Sequence, residues 1–242
     1  MTSRDPPFGK LISKLRAMGS LDDEDVRAIE VLPSRLARAN ARGQLVRNGD
    51  VPAECCLLIE GYAARSKTAV DGRRQIVSFH IPGDLLDLQH LFLPRADHDV
   101  QAITGATVVW IPMAALRSLI ASRPNVGAAF WRDALIDASI FREWVLNVGR
   151  RDAKTRIAHM LCEFIARCEA AGVGTPQRIR LPFSQDEIAD ATGLTPIHVN
   201  RMLRELTEDR LIRRDGREIT IDDWRGFQRA AGFDAAYLHA AA

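Results

Sequence analysis

Residues 181–221 read LPFSQDEIADATGLTPIHVNRMLRELTEDRLIRRDGREITI, and this stretch decides the fold. Two short helices can be placed from their caps. Ser184 with Glu187 three residues later forms a capping box, in which hydroxyl and carboxylate each satisfy an orphan amide. Asp186 and Glu187 suit the positive end of the helix dipole, and Ile188 and Ala189 give the helix an apolar side. Thr192-Gly193-Leu194 makes a three-residue turn, with Gly193 free to go left-handed. Thr195 is a good N-cap for the second helix. Pro196 fits its first position, where the missing N–H would have no partner anyway.

The second helix divides into two faces. Val199, Met202, Leu203 and Leu206 fall on the i, i+3, i+4, i+7 spacing and are expected to pack inward. Ile197, Asn200, Arg201 and Arg204 are left on the outer side, and His198 suits a phosphate or packing contact. Arg can grip guanine O6 and N7 with two hydrogen bonds, and Asn can do the same for adenine. The N-terminal half of such a helix is the part that touches base edges in a helix-turn-helix. An amphipathic hairpin with solvated charges is the plainer alternative. Against it stand the short turn and the segment beyond the second helix: Leu211-Ile212-Arg213-Arg214, Asp215-Gly216, Ile219-Thr220-Ile221. Asp-Gly between short apolar strands signals a β-hairpin. A basic hairpin there makes a winged helix, from which Arg213, Arg214 and Arg217 can reach phosphates.

The GLT turn, the helix ending in Arg201 and the DRLI entry to the wing resemble the DNA-binding domain of the CRP/FNR family of bacterial transcription regulators. The resemblance implies that Arg201 reads guanine and that RNA polymerase is a partner. An acidic residue that often reads cytosine in the family is replaced here by Ile197, so a different recognition sequence is expected. Ser184, Thr195, Ile197, His198, Asn200, Arg201, Arg204, Arg213, Arg214 and Arg217 are therefore the candidate DNA-binding residues.

Upstream, the texture changes. Phe8–Met18 and Asp22–Val31 read as helices, the second with acids at its start and Pro33 after its end. From about Ala37 to Ile111, short apolar runs alternate with Asn48-Gly49-Asp50, Glu60-Gly61, Asp71-Gly72, Pro82-Gly83-Asp84 and Thr104-Gly105. Regular short strands of this kind predict a β sandwich or barrel. The stretch IEGYAARSKTAVDGRRQIVSFHIPGDLLDLQHLF resembles the jelly-roll sensor domain of cyclic-nucleotide-binding proteins. Its ligand signature departs from that pattern. The family's Gly-Glu pair aligns with Asp87-Leu88 and its Arg-Ser or Arg-Thr pair with Ala96-Asp97, with Arg95 one place out of register. An anionic phosphate beside Asp97 would lose its charge-assisted hydrogen bonds, so the pocket reads as vestigial for cyclic nucleotides, or reassigned.

No cofactor is expected. Cys55 and Cys56 are adjacent on a strand and point to opposite faces. Cys162 and Cys168 sit on different faces of a helix. An iron–sulfur cluster needs four thiolates at characteristic spacings, so all four read as small buried residues. His80, His90 and His98 lack a paired metal-ligand spacing, and no metal site is assigned. Phe79 and Trp110 read as core.

From Pro124 to about Val148 runs a long helical pattern. Trp131, Ala134, Ala138, Phe141, Val145 and Val148 recur in alternating steps of three and four, a coiled-coil seam. Phe130, Ile140 and Trp144 widen its apolar surface. Packing of this helix inside a monomer is the alternative. A downstream DNA-binding module favours a homodimer, because two-fold half-sites match two-fold protein symmetry. Asn147–Asp152 reads as a hinge. Asp152 caps the next helix, whose Ile157, Leu161, Phe164 and Ile165 form an apolar stripe. After Asp222 an alanine-rich tail with Trp224, Phe227, Phe233, Tyr237 and Leu238 suggests a short helix.

The chain has 242 residues, is 47% hydrophobic and carries a net charge of +2. These values fit a soluble globular protein with proper cores. The segment from Asp152 onward is close to neutral, so any field toward DNA must come from local clustering around Arg201–Arg217. No stretch is apolar enough to span a bilayer, and MTSRDPPFGK has no signal-peptide core. The expectations are thus a cytoplasmic α+β protein: an N-terminal double-stranded β-helix (jelly-roll) sensor with helices over 1–123, a dimerisation helix and hinge over 124–149, and a winged helix-turn-helix over 150–242. Its partners would be itself and double-stranded DNA with two-fold-related half-sites. No Gly-rich phosphate loop or nucleophile elbow marks an enzyme. A protein-interaction module with a degenerate cyclic-nucleotide-binding-like domain is the alternative.

Overall fold

Alternation along the strands builds the β-roll. In the computed structural model, which describes residues 7–175 and 178–239, seven strands form two sheets. Most of the stretch read for a leader, and the last tail residues, lie outside the described residues. Strands β1 (Arg35–Ala39), β7 (Ala106–Pro112) and β3 (Glu54–Glu60) make the first sheet, in the order β1-β7-β3. Strands β2 (Gln44–Val46), β6 (Asp99–Ala102), β4 (Ala63–Thr68) and β5 (Arg74–His80) make the second, in the order β2-β6-β4-β5. The period of two separates side chains. Cys56, Leu58, Ala106 and Val108 enter one core with Leu86 and Val100. Their neighbours Cys55, Leu57, Val109 and Ile111 enter a second core, with Phe8, Leu11 and Leu15 and with Leu116 and Val126 from later helices. The β-roll with helices on one side is therefore two cores sharing one sheet.

Helices α1 (Gly9–Met18) and α2 (Asp23–Glu30) close the second core, along with α3 (Met113–Ser122). The start of α2 is set by a reciprocal capping box between Asp22 and Asp25. Lys14 of α1 bridges the carboxylates of Asp84, 2.8 Å away in the Pro-Gly-Asp turn, and Asp133, 2.7 Å away. The two carboxylates outweigh the desolvation of Lys14 and hold its ammonium firmly charged, while burial pushes the Asp133 carboxyl up.

Helix α4 (Pro124–Arg150) then runs without interruption. The break expected over Asn147–Asp152 is narrower than the sequence suggests. Gly149 stays helical, buried Asn147 donates to the Arg156 carbonyl at 3.1 Å, and only Arg151 and Asp152 leave the helix. Asp152 caps α5 (Ala153–Ala170), accepting from the Lys154 and Thr155 amides. By compactness the chain divides into two units, one reaching Arg65 and resuming over His80–Ala138, the other made of Ser66–Phe79 and Ser139–His239.

In the second unit, α5 carries its apolar stripe inward: Ile157, Leu161, Phe164 and Ile165 are all buried. Helices α6 (Gln185–Thr192) and α7 (Pro196–Glu208) pack on it. A three-stranded sheet has the order β8-β10-β9, from β8 (Arg178–Arg180), β9 (Arg213–Asp215) and β10 (Glu218–Thr220). The tail forms α8 (Trp224–Ala231) and a short 3-10 turn over Ala235–Leu238. It packs back on α5, where the Tyr237 hydroxyl donates to buried Glu163 at 2.8 Å and Trp144 Nε1 donates to the same carboxylate at 2.9 Å.

All four cysteines are buried free thiols. Burial pushes the thiols of Cys55, Cys56 and Cys162 up, which keeps them protonated and unreactive. No helix among the described residues is long and apolar enough to cross a membrane.

Candidate nucleic-acid interface

Local chemistry shapes the two helices of the interface. Ser184 accepts from the Glu187 amide, and the Glu187 carboxylate takes the Ser184 amide at 2.6 Å, completing the capping box. Gly193 ends α6 at φ 66°, a left-handed conformation that only glycine enters cheaply. Thr195 caps α7 through the His198 amide, and Pro196 opens that helix.

Helix α7 then splits as its spacing requires. Val199, Met202, Leu203 and Leu206 are buried. Asn200, Arg201 and Arg204 are exposed, and Ile197 is 84% exposed. His198 is half-buried and bonds the Arg201 guanidinium, while Glu205 lies 3.9 Å from the other side of that guanidinium. Arg201 is therefore held between two neighbours one turn away in each direction. Asn200 Nδ2 donates to Gln185 Oε1 of α6 at 3.4 Å.

The wing turn is Gly216-Arg217, flanked by the paired Asp215 and Glu218, with Gly216 at φ 57°. The two central residues thus lie one place later than the Asp-Gly reading implies. Arg213 forks onto Asp222 at 2.8 and 2.6 Å, Arg214 donates to the Gly216 carbonyl, and Arg217 lies 3.5 Å from the Pro182 carbonyl. All three guanidinium groups remain on the surface. The third strand, β8, is absent from the elements expected on sequence. It pairs with β10 through Arg180↔Glu218, Ile179↔Ile219 and Arg178↔Thr220, adding exposed Arg178 and Arg180 to the wing. The alternation Arg178-Ile179-Arg180 is the available signal, too short to register beside the longer runs.

The β-roll interior has different chemistry. Arg65 of β4 is buried, donating to Asp137 at 2.8 Å and to the Leu86 carbonyl at 2.7 Å. His90 stacks on His98 at 5.7 Å, and His98 pairs with Asp97 at 2.8 Å. Burial holds His98 below the ordinary imidazole range despite that carboxylate. No group of three or more potential metal ligands converges among the described residues. Nor do the residues fit a cyclic nucleotide. Leu88 and Ala96, which the sequence resemblance sets against the family's ribose and phosphate contacts, are buried apolar side chains. Arg95 is exposed and turned to the Gly49 carbonyl at 3.2 Å.

Comparison with known proteins agrees with this architecture. A cyclic nucleotide-binding domain model matches residues 38–123, and a Crp-like helix-turn-helix domain model matches residues 155–230. The nitrogen fixation regulation protein FixK of Rhizobium meliloti is 32% identical over 192 residues, covering 78% of this chain and 83% of that protein. The transcriptional activator protein FnrL of Cereibacter sphaeroides is 28% identical over 88% of this chain and 87% of its own length. The solved structure of FixK2 from Bradyrhizobium japonicum shares the fold with a TM-score of 0.76 at 23% identity, covering 82% of this chain and 98% of that one.

Fold and helix faces together define a class, the DNA-binding transcription regulators built from a β-roll and a winged helix-turn-helix. Within that class, the chain belongs to the CRP/FNR family.

Proposed function

We propose that this regulator acts as a homodimer on double-stranded DNA with two-fold-related half-sites, and that Arg201 is its principal base reader. The observation that carries this reading is the division of α7, which buries four apolar residues and presents Ile197, Asn200, Arg201 and Arg204 to solvent. Arg201 suits guanine, Asn200 suits adenine, and Ile197 suits a thymine methyl. Ser184, Thr195, His198, Arg204, Arg213, Arg214 and Arg217 would position the protein on phosphates, which supply affinity without sequence information.

Dimerisation would use α4. Trp131, Leu135, Val145 and Leu146 are exposed there, with Val145 at 75%. Ala134, Ala138, Phe141 and Val148 are half-buried beside them. Trp131 stacks on exposed Phe92 at 5.6 Å, so the apolar stripe extends onto the β-roll. The seam read from sequence omits Leu135, Leu146 and Phe92. The named relatives FnrL and FixK are an activator and a nitrogen fixation regulator. By that kinship we assign transcription activation, with RNA polymerase as partner and the cytoplasm as location.

The signal is not a cyclic nucleotide. Each lost hydrogen bond to a charged group is worth about 1.5–3 kcal/mol, so losing two lowers affinity by orders of magnitude. Calorimetry with cAMP or cGMP is expected to show no binding at micromolar concentration; binding abolished by a substitution inside the roll would contradict this. The DNA reading itself is tested by fluorescence anisotropy on duplex DNA at two salt concentrations. Affinity that falls steeply with salt is expected. No measurable affinity at low salt would instead favour a protein-interaction module.

A further inference from the structure

Strand β5 spans the first helix of the helix-turn-helix from end to end. At the C-terminal end of α6, Arg74 Nε donates to Asp190 Oδ2 at 2.8 Å, and Gln75 Nε2 donates to the Ala191 carbonyl at 3.2 Å. At the N-terminal approach, Phe79 stacks on Phe183, centroid to centroid 4.0 Å, one residue before the Ser184 cap. Phe79 is itself fixed by Trp144, edge-on at 5.7 Å, and its carbonyl accepts from Arg167 of α5 at 2.9 Å. The segment Ser66–Phe79 groups with the helix-turn-helix rather than with the rest of the roll.

The contacts at the C-terminal end have a specific chemistry. The last carbonyls of a helix have no partner within it. In α6 the Gly193 and Leu194 amides satisfy Ala189. The Ala191 carbonyl is taken by Gln75, and the Thr192 carbonyl by Arg156 of α5 at 2.7 Å. The turn that precedes α7 is thus capped from outside α6, by one side chain of β5 and one of α5. Arg74 and Asp190 are both about one-third exposed, enough shielding for the pair to matter.

We propose that β5 is a splint for the helix-turn-helix and that Arg74 and Gln75 are positioning residues for DNA binding, acting through α6 without touching DNA. This rests on the DNA-binding reading above. Two recognition helices must be presented about one helical turn of DNA apart, so a mobile α6–α7 turn lowers affinity even with every base contact retained.

The test uses full-length protein in two measurements. Duplex affinity is measured for wild type, Arg74→Glu, Asp190→Arg and the double exchange. Amide hydrogen exchange of α6 is measured on the same proteins without DNA. Each single variant is expected to lose affinity about tenfold and to lose protection over residues 188–192, and the exchanged pair to recover both. Unchanged protection in Arg74→Glu, or no recovery in the double exchange, would overturn the splint. Lost protection with unchanged DNA affinity would overturn the positioning role. If wild type bound no DNA at all while α6 protection still depended on the pair, the DNA reading would fall and the splint would stand.

Discussion

Arg201 is the residue on which specificity is expected to turn. It sits exposed between His198 and Glu205, in the half of α7 that the proposed docking places against base edges. Arg201→Ala should cost about 1–3 kcal/mol at the preferred site and relax selection at one base pair per half-site. Arg213→Ala is expected to act differently. Its guanidinium is forked onto Asp222 on the wing surface, which orients it for the phosphate contact proposed above. Its loss should weaken binding to all sequences alike and reduce the salt slope by about one; anisotropy titrations over a salt series measure both. The exposed face of α7 was legible because helical period separates it from four buried apolar residues. The contacts around the exposed face were not read from sequence: His198 and Glu205 flank Arg201 along its own helix, while the Asn200 donation to Gln185 needs the fold. In the roll, Ala96 and Leu88 could be read against the family signature, whereas buried Arg65 could not, because nothing in its strand marks it as paired with Asp137 on α4.

Among the elements, α5 holds a buried acid-sensitive group, His159. Burial, together with the Arg151 guanidinium, pushes His159 down to about 3 from an ordinary 6.5, although Glu143 lies 3.3 Å away. Between those values the unfolded chain binds a proton that the folded chain refuses. Stability contributed at this site is therefore complete above about pH 6.5 and is lost as pH falls toward 3. His159 packs against the rings of Phe233 and Tyr237, so His159→Phe keeps the packing and removes the titration. Melting temperature followed from pH 7 to pH 4 should fall less steeply in that variant than in wild type; parallel slopes would contradict the assignment. A second element-scale expectation concerns α1. Lys14→Met leaves Asp84 and Asp133 facing each other without their cation. Stripping a buried charge of its partner costs about 3 kcal/mol, which should appear as a lower urea midpoint. The helices were readable from caps and spacing. The end of α4 was not, because Gly149 signals a break that the Asn147 hydrogen bond and the Asp152 cap move downstream to Arg151. Strand β8 escaped for a related reason: three residues carry too little pattern until β10 supplies their partner.

At the scale of the molecule, the exposed stripe on α4 is the feature that monomeric packing leaves unexplained. Trp131, Leu135, Val145 and Leu146 recur at spacings that keep them on one side of a long helix, and Phe92 extends the patch. Apolar surface gathered in this way marks an interaction site. Leu135→Asp with Val145→Asp places two charges where the partner helix would desolvate them. Sedimentation is expected to show a dimeric wild type and a monomeric variant with its winged helix still folded. A wild type that sediments as a monomer at micromolar concentration would remove the dimer. The most direct measurement is selection of bound fragments from a random DNA pool, carried out in parallel with wild type and Arg201→Ala. The account predicts two half-sites related by two-fold symmetry and centred about one helical turn apart, with one base pair in each losing its preference in the variant. An enriched sequence without two-fold symmetry, or one that Arg201→Ala leaves unchanged, would contradict it.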